Sequence, residues 1–341
     1  DVYKRQGMNK AQEGSKRLKA VQNDPDRSKQ ALQPVLSPIL GSPLPRIHSK
    51  VREDLPSKGQ EIIDFAASVG LELLPWQQWL MIQASRVKED DRWLHPLVFG
   101  MCARQNGKTT IMKARILAGM FLLDEKLQIG TAHRLTTSLE TFRDLVNIIE
   151  GSDALRTQIK RVRWAHGSEE IETLNGNRYM VKAGASAARG IAAPAVVHID
   201  ETRELKDETT WASLRYTMMA SKNPQLWTYS NQGDQHSVIL NQLRERGLAA
   251  AAGANDDIGY FEWSSGYEQI DDSPEFWKGI AQANPSLGHT IHADNIRAVL
   301  NDPIDVVKTE VMCVQVATIS AAIPAYEWGE CCLLYTSDAA D

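Results

Sequence analysis

Two short runs in this chain carry residue types suited to phosphate chemistry. The first is CARQNGKTT, Cys102–Thr110. A lysine behind a glycine puts a compact cation where the outer phosphates of a nucleotide would lie, so Lys108 is the expected phosphate ligand, and the Thr109 hydroxyl is placed to coordinate Mg2+. Backbone N–H groups of Gln105, Asn106, Gly107 and Thr110, together with a helix N-terminus, complete the anion cradle. The glycine that usually opens such a loop is replaced by Cys102, and a bare Gly-Lys-Thr triplet also serves as a surface turn capping a helix. The second run is AVVHIDE, Ala195–Glu201, an apolar stretch closed by two carboxylates. In a nucleotide hydrolase the first, Asp200, holds Mg2+ through water and the second, Glu201, orients and deprotonates the attacking water. Standing alone, the same run is a strand ending in a solvated turn. The two motifs support each other, and the second carboxylate separates a hydrolase from a passive nucleotide binder.

Other residues are placed to act with them. Arg104 lies inside the phosphate loop, where a guanidinium can neutralise charge on the transferred phosphoryl group, or else pair with a structural carboxylate. Arg189, in the small-residue loop GASAARGI (Gly184–Ile191), is a candidate for a neighbour's ATP or for DNA, or a plain surface arginine. In LPWQQW (Leu74–Trp79), Gln77 can read an adenine edge while Trp76 stacks on the base; the alternative is a helix that buries Trp76 and Trp79. In YSNQGD (Tyr229–Asp234), Ser230 and Asn231 close an apolar strand, where polar groups can sense the terminal phosphate and pass its loss to parts that grip DNA.

These residues need a scaffold. Apolar positions recur at helical spacing from Glu61, and Pro75 opens a second helix to Ala84. Short apolar runs then alternate with helical stretches: strands over 97–101, 127–132, 170–174, 178–183, 195–199 and 226–230, helices over 109–123, 136–149, 210–219 and 237–246. Strands joined by crossover helices predict an α/β fold of the P-loop nucleotide-hydrolase type, a mainly parallel sheet with helices on both faces. The run AAAGANDDI (249–257) reads as a flexible joint, after which residues to about 330 form a small linker subdomain with helices near 273–284 and 293–300. The expected divisions are thus a leader over 1–60, rich in Lys, Gln, Ser and Pro and extended or partly disordered, an ATPase domain over 61–248, and the linker subdomain over 249–330.

Composition narrows the class without deciding it. The 341 residues are 43% hydrophobic, enough for an ordinary core. No stretch approaches the roughly 18 uninterrupted apolar residues of a spanning helix, and no apolar signal core stands at the N-terminus. The four cysteines show neither zinc nor disulfide-framework spacing, so reduced thiols are expected. A formal charge of −5 makes no global case for nucleic-acid binding; the basic cluster Arg156, Lys160, Arg161, Arg163 is either a local DNA contact or a solvated surface.

In order, LPWQ, RQNGKT, VVHIDE, YSNQGD and ANPSLG (Ala283–Gly288) resemble the large terminase subunits of tailed phages over roughly Glu61–Trp328. No one of these motifs is that specific; the ordered set is. Phosphate loops of that family carry Arg-Gln before Gly-Lys-Thr and dispense with the first glycine, so Arg104, Gln105, Gly107, Lys108 and Thr109 match and Cys102 is in place. The resemblance implies Asp200 and Glu201 as the hydrolytic pair and Ser230 with Asn231 as the coupling element. It also implies ATP and Mg2+ as cofactors, double-stranded viral DNA, a portal ring and a small terminase subunit as partners, assembly as a homo-oligomeric ring, and a place in the host cytoplasm on a procapsid.

A complete large subunit also carries a metal-dependent nuclease, which needs several converging carboxylates. After Trp263, the acids Asp271, Asp272, Asp294, Asp302, Asp305 and Glu310 close no apolar strand, and IPAYEW (Ile323–Trp328) looks like the segment that precedes such a domain. The nuclease is therefore expected to lie outside this chain. Residues 1–6 and 332–341 resemble translated sequencing-adapter read-through, which makes Met8 the expected start, with the natural protein expected to continue beyond about Glu330. Two other functions fit the same motifs: a helicase-like, nucleic-acid-stimulated ATPase, which needs a second sheet domain of similar size, and a nucleotide-dependent assembly switch without turnover.

Overall fold

The computed structural model describes residues 39–132, 135–165, 169–182, 191 and 193–319. Among these residues a nine-stranded sheet runs in the order β1-β9-β2-β8-β7-β3-β6-β5-β4. Its strands are β1 (Ile47–His48), β2 (Leu97–Met101), β3 (Leu127–Ala132), β4 (Ile159–Arg163), β5 (Glu170–Thr173), β6 (Arg178–Val181), β7 (Val196–Asp200), β8 (Gln225–Ser230) and β9 (Ile258–Glu262). The six central strands from β9 to β6 pair parallel, and β1, β5 and β4 pair antiparallel at the flanks. The α/β, mainly parallel sheet expected from the alternation of elements is the one observed.

Helices α1 (Gly59–Ser68), α2 (Pro75–Ala84), α3 (Lys108–Phe121) and α4 (Leu135–Gly151) cover one face. Their apolar stripes meet Val98, Val196, Trp227, Tyr229 and Phe261. A short α5 (Asp153–Arg156) follows α4. Helices α6 (Glu208–Thr217) and α7 (Val238–Ala251) cover the other face, against Phe99, Met101, Val197, Ile199, Leu226 and Tyr260. Alternate residues of each central strand thus enter opposite cores, which is why β2, at the middle of the parallel set, is apolar along its whole length, as a strand covered on both faces must be. Helices α8 (Pro274–Ala283), α9 (Ala293–Ala298) and α10 (Ile304–Glu310) complete the described chain. No helix of the described residues is long and apolar enough to cross a membrane.

Two segments differ from expectation. The segment beyond the expected joint at 249–257 enters the main sheet: α7 continues to Ala251, and β9 lies parallel beside β2 with Phe99 opposite Tyr260. The sequence hides this strand because Gly259 interrupts its apolar run. That glycine admits the His95 ring, whose Cγ stands 2.8 Å from where a Cβ would be. Of the expected leader, residues 46–49 lie along the sheet edge, where Ile47 opposes Glu262 and Ser49 donates its N–H to the Tyr260 carbonyl. Three members of the basic cluster are locally neutralised: Lys160 and Arg161 on β4 pair with Glu170 and Glu172 of β5, and Arg156 pairs with Asp153.

Candidate nucleotide site

Strand β2 ends at Met101 and the chain enters α3 at Lys108, so residues 102–107 are the loop between them. Two residues take the left-handed region, Gln105 at φ 63° and Gly107 at φ 86°. Gly107 is required on two counts: its φ disfavours other residues, and a Cβ there would stand 2.8 Å from Gln77 Nε2. Gln77 is the brace of the loop. Its Nε2 donates to the Gly107 carbonyl at 2.9 Å and its Oε1 accepts the Leu74 N–H at 2.7 Å, capping its own helix α2.

The adenine role expected of Trp76 and Gln77 is not supported by their placement. Trp76 is 1% exposed, lies edge-on against Trp263 at 5.1 Å and donates from Nε1 to Ser286 Oγ, so neither face of its ring is open to a base. Gln77 has both ends of its amide committed to backbone. Of the alternative, a helix burying Trp76 and Trp79, the structure shows Trp76 buried and Trp79 half-buried against Phe261 and Trp263.

Asn106 joins the loop to that same segment. Its Nδ2 lies within 3.1 Å of the carbonyls of Ala103 and Arg104 and of Asn284 Oδ1. Its Oδ1 accepts the Ser286 N–H, and its carbonyl accepts the Ser286 hydroxyl at 2.7 Å. The run ANPSLG therefore acts as a clamp on the phosphate loop. Lys108 Nζ lies on the loop itself, donating to the carbonyls of Ala103 at 2.9 Å and Cys102 at 3.1 Å. Cys102 and Cys313 are free thiols in the core, and burial pushes both up from the usual thiol range, so neither is a nucleophile at neutral pH. Cys331 and Cys332 lie outside the described residues.

The sheet order brings the two motifs together. Only β8 separates β2 from β7, so the phosphate loop, the end of β8 and the acidic pair share one edge of the sheet. Asp200, the last residue of β7, is buried; its Oδ1 accepts the Glu201 N–H at 2.9 Å, and the Thr109 side chain is near enough to lower its pKa. Burial pushes the Asp200 carboxyl above the ordinary aspartate range. The charge of Lys108, the Glu201 N–H and Thr109 oppose that rise, and the charge of Glu201 adds to it. Glu201 sits at φ 54°, ψ 48°, a left-handed conformation costly for a residue with a Cβ, which turns the chain into a 3-10 turn at Thr202–Glu204. A cleft of about 230 Å³ opens here, lined by Thr131, Asp200, Glu201 and Asp207. A second, of about 510 Å³, lies beside Arg104 and Gln105 against Ile291, Asn295 and Val299. Among the described residues no group of three or more His, Cys, Asp or Glu could hold a metal alone. Thr109 and Asp200, side by side, fit a Mg2+ that takes its remaining ligands from phosphates and water.

Ser230 closes β8 and Asn231 follows it, and the sheet order sets the end of β8 between the two motifs. Ser230 accepts the Arg203 N–H on its hydroxyl, and its carbonyl accepts the Cys102 N–H at 3.2 Å. Asn231 donates from Nδ2 to Glu310 Oε2 at 2.9 Å. Arg104 is turned to the same carboxylate, 3.2 Å away, the structural-carboxylate alternative for this side chain. Arg203 and Glu310 were not singled out as site residues from the sequence; Arg203, two residues beyond Glu201, had a positional signal, whereas Glu310 had none. Arg189 and the segment IPAYEW lie outside the described residues.

Comparison with solved structures fixes the fold. Superposed on the crystal structure of the HK97 bacteriophage large terminase, the chain gives a TM-score of 0.62 over 76% of its own length and 55% of that chain, at 16% identity. This is the large-terminase fold. The large terminase of a thermophilic bacteriophage (TM-score 0.44, 10% identity, 64% of this chain and 48% of that one) is also similar. So is the ATPase domain of the Thermus phage P74-26 large terminase (0.44, 14%, 59% and 85%). The chain spans about half the length of the HK97 large terminase it matches. No protein-family model and no curated protein matches it. Within the large-terminase fold, the loop 102–107, the Asp200–Glu201 pair and the end of β8 converge at one edge of the sheet.

Proposed function

We propose that this chain is the ATPase part of a phage-type terminase large subunit, hydrolysing ATP to drive double-stranded DNA into a procapsid. One observation carries the reading: the phosphate loop at the end of β2 and the buried Asp200 with Glu201 at the end of β7 meet at one edge of the sheet, Glu201 in a strained conformation. A strained glutamate there serves hydrolysis and not folding.

In this reading the backbone N–H groups of residues 105–110 and the N-terminus of α3 bind the phosphates, and Lys108 leaves the loop carbonyls for the outer phosphates. Thr109 and Asp200 hold Mg2+, which when bound neutralises charge on the β- and γ-phosphates. Glu201 takes the proton of the attacking water, while Arg104 meets charge that develops on the transferred group. Ser230 and Asn231, wedged between loop and acidic pair, register the loss of the γ-phosphate. Double-stranded DNA, a portal ring, a small subunit and a homo-oligomeric ring on the procapsid are the partners and assembly that the resemblance supports.

The test is ATP turnover by the purified chain with and without double-stranded DNA, beside Lys108→Ala and Glu201→Gln. Turnover abolished by both substitutions and stimulated by DNA supports the motor. ATP binding without turnover under every condition supports the assembly switch instead.

A further inference from the structure

Residues 41–46 form a strap that ends at the sheet edge as β1. The Gly41 N–H donates to the Leu287 carbonyl at 2.9 Å and the Ser42 N–H to the Ala281 carbonyl at 2.8 Å, which ties the strap to the run ANPSLG and to the last turn of α8. The approach at Gly41 admits no side chain. A Cβ there would fall on the Asn284 carbonyl oxygen and stand 2.6 Å from the Pro285 carbonyl carbon. The Ser42 carbonyl accepts the Trp263 indole N–H at 3.2 Å. At the other end Arg46 donates its N–H to the Glu262 carbonyl at 2.9 Å and its guanidinium to Ser264 Oγ at 2.6 Å.

Two routes lead from the strap to the phosphate loop. Asn284, against Gly41, accepts Asn106 Nδ2 on its Oδ1 at 3.1 Å. Trp263, held by Ser42, stands edge-on against Trp76, whose Nε1 donates to Ser286 Oγ, and that hydroxyl donates to the Asn106 carbonyl. The strap therefore presses on the outer side of the clamp whose inner side holds the loop.

We propose that the strap sets the position of the phosphate loop, with Gly41 a positioning residue that acts through Asn284 on Asn106. This rests on the ATPase reading above. Both routes end on the loop and not on the acidic pair, so a displaced strap weakens the hold on the phosphates alike in ground and transition states: KM rises and kcat stays. By linkage, a nucleotide that orders the loop must also tighten the strap, and the Gly41 and Ser42 amides then open less often.

The experiment is binding of Mg2+ with adenylyl imidodiphosphate to the whole chain by calorimetry, together with KM and kcat for ATP and amide hydrogen exchange at Gly41 and Ser42. Gly41→Ala is expected to bind the analogue about two- to tenfold more weakly, the worth of one hydrogen bond to the loop, and to raise KM by the same factor with kcat retained. In an Asn106→Ala background the same change is expected to cost no further affinity, because the route is already cut. In the wild-type chain the analogue is expected to slow exchange at both amides, a readout that needs no variant and decides the matter if Gly41→Ala does not fold. A folded Gly41→Ala with a lower Tm and unchanged affinity is a merely structural glycine and overturns the inference. So does an additive loss in the double variant, or wild-type binding that leaves exchange at Gly41 and Ser42 unchanged; these outcomes spare the ATPase reading. A wild-type chain that binds no analogue overturns that reading as well.

Discussion

Gln77 Nε2 donates to the carbonyl of Gly107 at 2.9 Å, across the space between the start of α2 and the tip of the phosphate loop. A residue that is 2% exposed and bonded at both ends of its amide acts on the loop and not on the base. Gln77→Ala leaves the Leu74 N–H and the Gly107 carbonyl without that partner, at a cost of about 1–3 kcal/mol. We expect a lower Tm and weaker binding of ATP and GTP by the same factor; a loss confined to ATP in equilibrium titrations would restore Gln77 as an adenine reader.

Asp200, the proposed Mg2+ ligand, is a carboxylate whose burial raises its pKa, so the fold favours the protonated form. The stability it contributes is therefore present below the unfolded aspartate pKa and lost as pH rises through the raised one. At neutral pH the ionised group is a standing cost. Asp200→Asn is expected to raise the unfolding free energy by about 1 kcal/mol at pH 7 and to abolish turnover, with the difference from wild type shrinking as pH falls toward about 4. Thermal unfolding at several pH values checks it, and an unstabilised variant at neutral pH refutes the assignment.

Asn106 is 1% exposed and holds ANPSLG against the loop through both ends of its amide. Asn106→Ala should lower stability by about 1–3 kcal/mol and weaken nucleotide binding together, because the buried Ser286 N–H and Asn284 Oδ1 lose a partner at the loop. Asn106→Asp is expected to be worse than a simple loss of donors, since its carboxylate would face the carbonyls of Ala103 and Arg104. Calorimetric unfolding beside nucleotide titration separates the two effects.

Far from the site, Arg115 and Glu125 form a bidentate pair at 2.6 and 2.8 Å, with Arg115 fully buried and its guanidinium 5.2 Å from the Trp93 ring centroid. Removing one partner strands a buried charge. Arg115→Met is expected to destabilise by about 3–5 kcal/mol, and Arg115→Met/Glu125→Leu to recover most of that. Denaturant unfolding of the two variants is the check; a single variant as stable as wild type would mean that the pair contributes nothing.

The sequence determined by itself the parts of this protein that depend on near neighbours. The strand into CARQNGKTT and out into α3, the apolar run closed by Asp200 and Glu201, and the alternation that demands a mainly parallel sheet all follow from local periodicity and the needs of backbone hydrogen bonding. Tertiary structure decided what depends on distant partners. Strand β9 is a strand because β1 and β2 flank it, and its glycine is explained only by His95. Trp76 is core and not a base-stacking face because Trp263 and Ser286 arrive from the far end of the chain. Arg104 rests on Glu310 because the topology brings residues 206 positions apart within hydrogen-bond distance, and a carboxylate that closes no motif has no signature in sequence. A local pattern reports the conformation of its own segment; which charge neutralises which is set by the packing of segments that sequence order keeps apart.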